Sequence, residues 1–247
     1  MHIFDAHAHL GIDVVFDVEG DEQLLLDTYT ASGIHGALIQ PFINRPYLVD
    51  TAAIHDRIAA FAASHPGRFW GMVSINPHLN HADIERESER CVKKLGFRGV
   101  KIATTATGTP PVSRDGMHIF EVAQALGIAV MIHTGGGTFA EPDCIRGALD
   151  AFPGVTTVLA HGGGVGGVDA LIALAKRYDQ VYLEPSWVKA DGLRKLLAAV
   201  GAERIMYSSD MPGNAAPALL DFQQACGAND AALEQMLCRT AKQAFSI

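Results

Sequence analysis

Eight times along this 247-residue chain a short, β-branched apolar run gives way to a longer amphipathic segment. The runs are His2–Ala6, Ala37–Gln40, Phe69–Ile75, Gly99–Ile102, Ile128–Ile132, Thr156–Ala160, Val181–Glu184 and Ile205–Ser208. The amphipathic segments are Asp21–Ser32, Val49–Ser64, Ala82–Leu95, Asp115–Leu126, Pro142–Phe152, Val168–Arg177, Ala190–Val200 and Ala215–Cys226, and a last one, Asp230–Ala244, follows. Alternating strands and helices predict a parallel sheet, because a parallel neighbour is reached only by a crossover. Runs that are apolar on both faces predict strands buried on both sides. From His7 to Asp210, which close the first and eighth runs, lie 203 residues over seven intervals, or 29 per unit. That length holds one strand, one helix and two loops. The pattern predicts an α/β chain, a (β/α)8 TIM barrel with a short C-terminal extra helix. No Pro/Ser-rich linker or charge run divides it, so residues 1–247 read as one domain.

Composition removes other classes. The formal net charge of −8 argues against a nucleic-acid groove or an anionic membrane as partner. The opening MHIFDAHAHL has no basic and apolar leader pattern. The longest uncharged stretch, Val122 to Ala140, carries Gln124, His133, Thr134 and three successive glycines, so no bilayer span is expected. Four cysteines without a CxxC pair read as reduced, buried thiols in a cytoplasmic chain.

In a barrel of this kind, chemistry sits where strands hand over to the following loops. The runs end there in His7-Ala8-His9, Gln40-Pro41, Asn76-Pro77, Lys101, His133-Thr134, His161, Glu184-Pro185-Ser186 and Ser209-Asp210. Residues two apart on a strand share a face, so His7 and His9 can grip one ion. A third imidazole, from His133 or His161, and the Asp210 carboxylate would complete three or four ligands and leave a position for water. Neutral imidazoles suit zinc, and also manganese or iron. His2, His35, His55, His65, His78, His81 and His118 lie elsewhere in the pattern and read as structural or surface groups.

The run after His161 offers a competing reading. Gly162, Gly164 and Gly167 fit G-x-G-x-x-G, and Glu184 ends the next strand. Such a fingerprint normally opens a dinucleotide-binding domain, whereas five βα units precede it here. The run is better explained as a tight path beside a metal-ligating strand end, and no nucleotide cofactor is expected.

The opening Phe4-Asp5-Ala6-His7-Ala8-His9 and the segments GFRGVKI, AVMIHTGG, VLAHGGG and MYSSDMP resemble the amidohydrolase superfamily, and most closely its amidohydrolase-related branch. The resemblance runs from residue 3 to 245. It implies His7, His9, His133 and Asp210 as ligands of one divalent metal, with His161 as the catalytic histidine. It leaves Lys101 as a catalytic or substrate-binding ammonium near the substrate's carboxylate, as a structural group or, less favoured, as a carboxylated bridge between two metals. The branch holds hydrolases and non-oxidative decarboxylases, including aminocarboxymuconate semialdehyde decarboxylase. Members are often homodimers.

The primary expectation is a metal-dependent hydrolase of a small amide, lactone or ester, with zinc favoured over manganese or iron, using a metal-activated water whose proton Asp210 takes. The alternative is a metal-dependent decarboxylase of a small unsaturated or aromatic acid. Lys101, Arg45, Ser186 and Trp187 are the expected substrate contacts: a cation for a carboxylate, a hydroxyl, and a ring for stacking. The loop Leu10 to Gly20 is short, which suggests a small or open pocket.

Overall fold

The apolar runs line up as the staves of a barrel in the computed structural model, which describes residues 1–13, 17–42, 47–163 and 167–247. The strands are β1 (Phe4–Asp13), β2 (Val18–Gly20), β3 (Gly36–Pro41), β4 (Phe69–Gly71), β5 (Val73–Ser74), β6 (Gly99–Ile102), β7 (Ala129–His133), β8 (Thr157–Ala160) and β9 (Val181–Glu184). The helices are α1 (Glu22–Ser32), α2 (Leu48–Ser64), α3 (His81–Leu95), α4 (Thr104–Thr107), α5 (Arg114–Leu126), α6 (Arg146–Ala151), α7 (Gly167–Arg177), α8 (Ala190–Val200), α9 (Ala216–Gln224), α10 (Asp230–Glu234) and α11 (Thr240–Ala244).

Strands β1, β3 and β4 pair in parallel, as do β5 through β9 in sequence order. The third run is split at Met72, whose N–H still reaches Ile39 O at 2.8 Å. The eighth run, Ile205–Ser208, is expected as a strand but forms a single bridge, Ile205 to Leu183, instead. Met206 N donates to Leu183 O and Ala6 N donates to Tyr207 O, both at 3.0 Å, so the segment stands between β9 and β1 and joins the two sheets. The first loop also differs from expectation. Leu10–Asp13 continue β1 and pair with β2 as an antiparallel hairpin, Gly11 opposite Gly20 and Asp13 opposite Val18.

The helices form where apolar positions recur on one face. Helix α3 buries Ile84, Glu87, Ser88 and Cys91, the i, i+3, i+4, i+7 stripe of an amphipathic helix. Asn80 caps its first turn by accepting from Ala82 N, and Gly96, at φ 74°, ends it in the left-handed region. The fifth segment opens as a 3₁₀ turn, Pro142–Ile145, before α6. The last runs through α10, a π-helical turn at Gln235–Arg239 and α11.

Two apolar clusters follow from strand alternation. Ile39, Val100, Ile102, Val130, Ile132, Leu159 and Leu183 face the helix layer. Phe4, Ala6, Leu38, Met72, Ala129, Met131, Val158 and Met206 fill the barrel axis, and Cys238, Ala241, Ala244 and Phe245 of the C-terminal helix plug its base. The alternation then places Gln40, Ser74, Lys101, His133, Glu184 and Ser208 on the inner face above that plug. The interior is therefore apolar at one end and polar at the other.

Candidate metal centre at the barrel mouth

Strict alternation from Phe4 and Ala6, which face inward, would send His7 and His9 out to the helix layer. A register shift between Asp5 and Ala8 reverses the pattern. Ala8 and Leu10 join the outer cluster, and His7 and His9 turn inward. Bulges of this kind re-aim side chains beside active sites. Asp5 fastens the bend. It is wholly buried and accepts from His7 N at 3.0 Å, Ser209 N at 2.9 Å, Ser209 Oγ at 2.5 Å and Tyr29 Oη at 2.7 Å. Burial pushes its pKa up to about 6, against those hydrogen bonds. One carboxylate thus ties the strand carrying His7 to the residue before Asp210.

Asp210 and His161 both sit in the left-handed region, at φ 58° and 71°. Asp and His are among the non-glycine residues that tolerate it, at a cost of about 1–3 kcal/mol each. The strain turns each side chain back over the barrel axis. Gly162 follows at φ 72°, and a side chain there would run into Val188. Gly164 of the glycine fingerprint lies outside the described residues.

The result is a knot of facing acceptors. His9 Nδ1 lies 3.0 Å from Pro41 O, and His7 Nδ1 lies 3.5 Å from Glu184 Oε1. The Pro41 carbonyl only accepts, so the His9 ring carries its proton on Nδ1 and presents a lone pair at Nε2, whereas His7 Nδ1 faces a carboxylate oxygen without making a hydrogen bond at that distance. Those two Nε2 atoms are 3.0 Å apart, and Asp210 Oδ1 lies 3.2 Å from the first and 3.0 Å from the second. Burial, with Lys101 nearby, holds His7 well below the usual imidazole range, so it stays neutral. The two Nε2 atoms and Asp210 Oδ1 converge, with the Lys101 ammonium reaching His7 Nε2 at 3.4 Å, an arrangement that a divalent cation would complete. The donor set of two imidazoles and a carboxylate fits a divalent metal. His7, His161 and Asp210 also place one ligand atom each within 4.8 Å of one another.

The remaining expected residues fall as follows. Lys101 is buried, with Nζ 3.4 Å from His7 Nε2. Burial pushes its pKa down to about 8, against the pull of Glu184 and Asp210. His161 Nδ1 contacts Ser186 Oγ at 3.1 Å and lies 3.5 Å from Asp210 Oδ2. Ser186 is wholly buried, and its hydroxyl spans His161 and Glu184, at 3.3 Å from the carboxylate. Trp187 is 58% exposed and donates its indole N–H to Asp210 Oδ2 at 2.8 Å. His133 is the one of the four implied ligands that stands apart. Its Nε2 lies 3.1 Å from Gly135 O, although its ring is 4.5 Å from that of His161. The turn after β7 brings that carbonyl nearer than the lone-pair cluster. Burial and Lys101 push His133 down to about 4. Arg45 lies outside the described residues.

Asp5 and Glu184 are the polar groups that the sequence left without a role. Their signal is an acid inside a strand whose neighbours are apolar on both faces.

These features accord with relatives of known fold. The family model described as Amidohydrolase matches residues 4–247, and the chain belongs to that family. The 2-amino-3-carboxymuconate-6-semialdehyde decarboxylase of Dictyostelium discoideum is 32% identical over 80 residues, which cover 32% of this chain and 22% of that protein. A TIM-barrel protein from Bordetella bronchiseptica superposes with a TM-score of 0.81 at 19% identity, covering 100% of this chain and 99% of that one. A dihydroxybenzoic acid decarboxylase from Polaromonas sp. JS666, solved with bound manganese and the inhibitor 2-nitroresorcinol, superposes with a TM-score of 0.80 at 16% identity, covering 99% and 97%. The (β/α)8 barrel expected from the sequence is thereby established. The hydrolase expectation gives way, because the characterised relatives are decarboxylases. The motifs that suggested it are shared by both reactions and never distinguished them. Among the described residues no helix is long and apolar enough to cross a membrane.

Proposed function

We propose that this chain is a metal-dependent decarboxylase of a small aromatic or similarly unsaturated carboxylic acid. The observation that carries the reading is the convergence of His7 Nε2, His9 Nε2 and Asp210 Oδ1 at the polar end of the barrel. His7, His9 and Asp210 would hold one divalent cation, manganese or zinc, and His133 would join them on leaving Gly135 O. When bound, the cation supplies a fixed positive charge that anchors the acid and draws electron density from it. Manganese in the Polaromonas enzyme supports the first choice of metal.

Decarboxylation breaks the bond between the ring carbon and the carboxylate. Carbon dioxide leaves, and the electron pair left on carbon takes a proton. His161 is buried beside Asp210 and is the group placed to hold and pass that proton. Lys101 supplies the cation that recognises the acid. Trp187 keeps its N–H on Asp210 while its ring faces solvent at the mouth, a surface suited to stacking on an aromatic substrate.

The test is a panel of hydroxybenzoates and unsaturated carboxylic acids, incubated with the manganese-loaded and the zinc-loaded chain. Bicarbonate release with a decarboxylated product is expected. No bicarbonate from any acid of the panel, with metal bound, would overturn the proposal.

A further inference from the structure

Glu184 closes β9 with none of its surface exposed. Its two carboxylate oxygens are used differently. Oε2 accepts from His161 N at 2.8 Å and lies 3.3 Å from Ser186 Oγ, so the side chain is held at one end. Oε1 lies 3.5 Å from His7 Nδ1; both atoms are buried, and neither makes a hydrogen bond at its present distance. A buried carboxylate oxygen without a donor costs on the order of 1–3 kcal/mol, and His7 Nδ1, which faces it, is the group placed to supply the proton.

We propose that Glu184 is the positioning residue that fixes His7 in its Nδ1–H form and so directs the Nε2 lone pair at the cation site. The logic is that of a carboxylate behind a metal-ligating histidine, where the outer acceptor sets tautomer, ring orientation and basicity. His9 has its counterpart in Pro41 O. The two ligands on β1 are therefore oriented by two different kinds of acceptor: a neutral carbonyl for His9 and a carboxylate for His7. Oε2 adds a second duty, since it holds the N–H of His161 in its left-handed conformation. The inference rests on the metal-centre reading above.

The substitution Glu184→Gln inverts the instruction at almost unchanged volume. The amide oxygen stays with the two donors, His161 N–H and Ser186 Oγ–H. The amide nitrogen then faces His7 Nδ1, which must accept, and the proton moves to Nε2. In the metal-free protein, ¹⁵N NMR of the imidazoles is expected to show His7 as Nδ1–H in the parent and Nε2–H in E184Q. Competition with a chelator is expected to show manganese and zinc affinity falling about 10–100-fold in E184Q. A parent His7 in the Nε2–H form overturns the proposal, and so does an E184Q protein with the parent's tautomer and an affinity within about twofold. If E184Q does not fold, the parent tautomer alone decides. A parent that takes up no metal sinks the metal centre, while the tautomer comparison still judges Glu184.

Discussion

Two buried clusters in this molecule contain the same kinds of residue and have opposite characters. At the barrel mouth stand His7, His9, His161 and Asp210. Between α2 and α3 stand His55, Glu87 and Cys91, whose ligand atoms also lie within 4.8 Å of one another. The second cluster is closed by its own hydrogens. Ser74 N donates to His55 Nε2 at 3.1 Å, so His55 carries its proton on Nδ1 and gives it to Glu87 Oε1 at 2.8 Å. Cys91 Sγ lies 3.4 Å from the same oxygen, and Arg90 makes two further 2.8 Å contacts to the carboxylate. A metal on His55 Nδ1 would have to displace that proton while Nε2 is already accepting. Burial pushes Glu87 up, but hydrogen bonds from Arg90 and His55 more than offset it and hold the carboxyl at about 2. Burial, then Glu87, push the Cys91 thiol well up, so it remains a thiol. What separates the two clusters is donor supply: one is satisfied, and the other brings more acceptor atoms together than its donors meet.

The largest contrast should come from the ligands themselves. Replacing His7 and His9 together by Ala is expected to cut bound metal from one per chain to below about 0.1, roughly the loss of a two-imidazole grip. The melting temperature of the metal-free protein should change little. Elemental analysis beside calorimetry checks this, and metal retained by the double variant would show that the wrong cluster was chosen.

Next in size is His161→Ala. It should lower decarboxylation on the order of 10²–10⁴-fold, the usual contribution of a proton-transferring group, with metal content unchanged. Equal loss of metal would make His161 a ligand rather than a proton carrier.

In the satisfied cluster the damage should be to stability. Glu87→Ala leaves Arg90 and His55 facing an empty site and is expected to cost about 3–5 kcal/mol in denaturant titration, with metal stoichiometry intact. A neutral result there would mean that the network is ornamental.

Acid should separate the clusters more gently. Glu87 titrates near 2 in the folded chain against 4.5 ordinarily. Its contribution is therefore fully present above about pH 4.5 and lost as pH falls toward 2, by about 3 kcal/mol in all. The difference in stability between parent and Glu87→Gln should shrink over that window. A pH-independent difference would contradict the assignment.

The smallest effect belongs to Trp187→Phe. It keeps a ring at the mouth but removes the N–H on Asp210 Oδ2, and a rise in KM of about threefold to tenfold is expected, near the 1 kcal/mol of one hydrogen bond.

Much of this was readable from order alone. The spacing of apolar runs and amphipathic segments specified eight βα units, because each strand needs a crossover of nearly fixed length. His7, His9, His161 and Asp210 were legible as strand-end groups. Ile205–Ser208 looked like an eighth strand and became a bridge, since whether a four-residue run pairs fully depends on both neighbours. His133 ended the right strand, but the turn after it settled its ring on Gly135 O. Glu184 was visible only as an acid at a strand end.

The sequence by itself determined the barrel, its polar mouth and the kinds of side chain there, because periodicity and residue chemistry are local properties. The tertiary structure alone decided which way those side chains face. The register shift between Asp5 and Ala8 turns two histidines from the helix layer to the axis, and two left-handed residues turn His161 and Asp210 to meet them. The acceptors that face the two Nδ1 atoms, Pro41 O and Glu184 Oε1, come from strands far away in sequence. Hydrogen-bond complementarity is a relation between strands, and no single strand carries it.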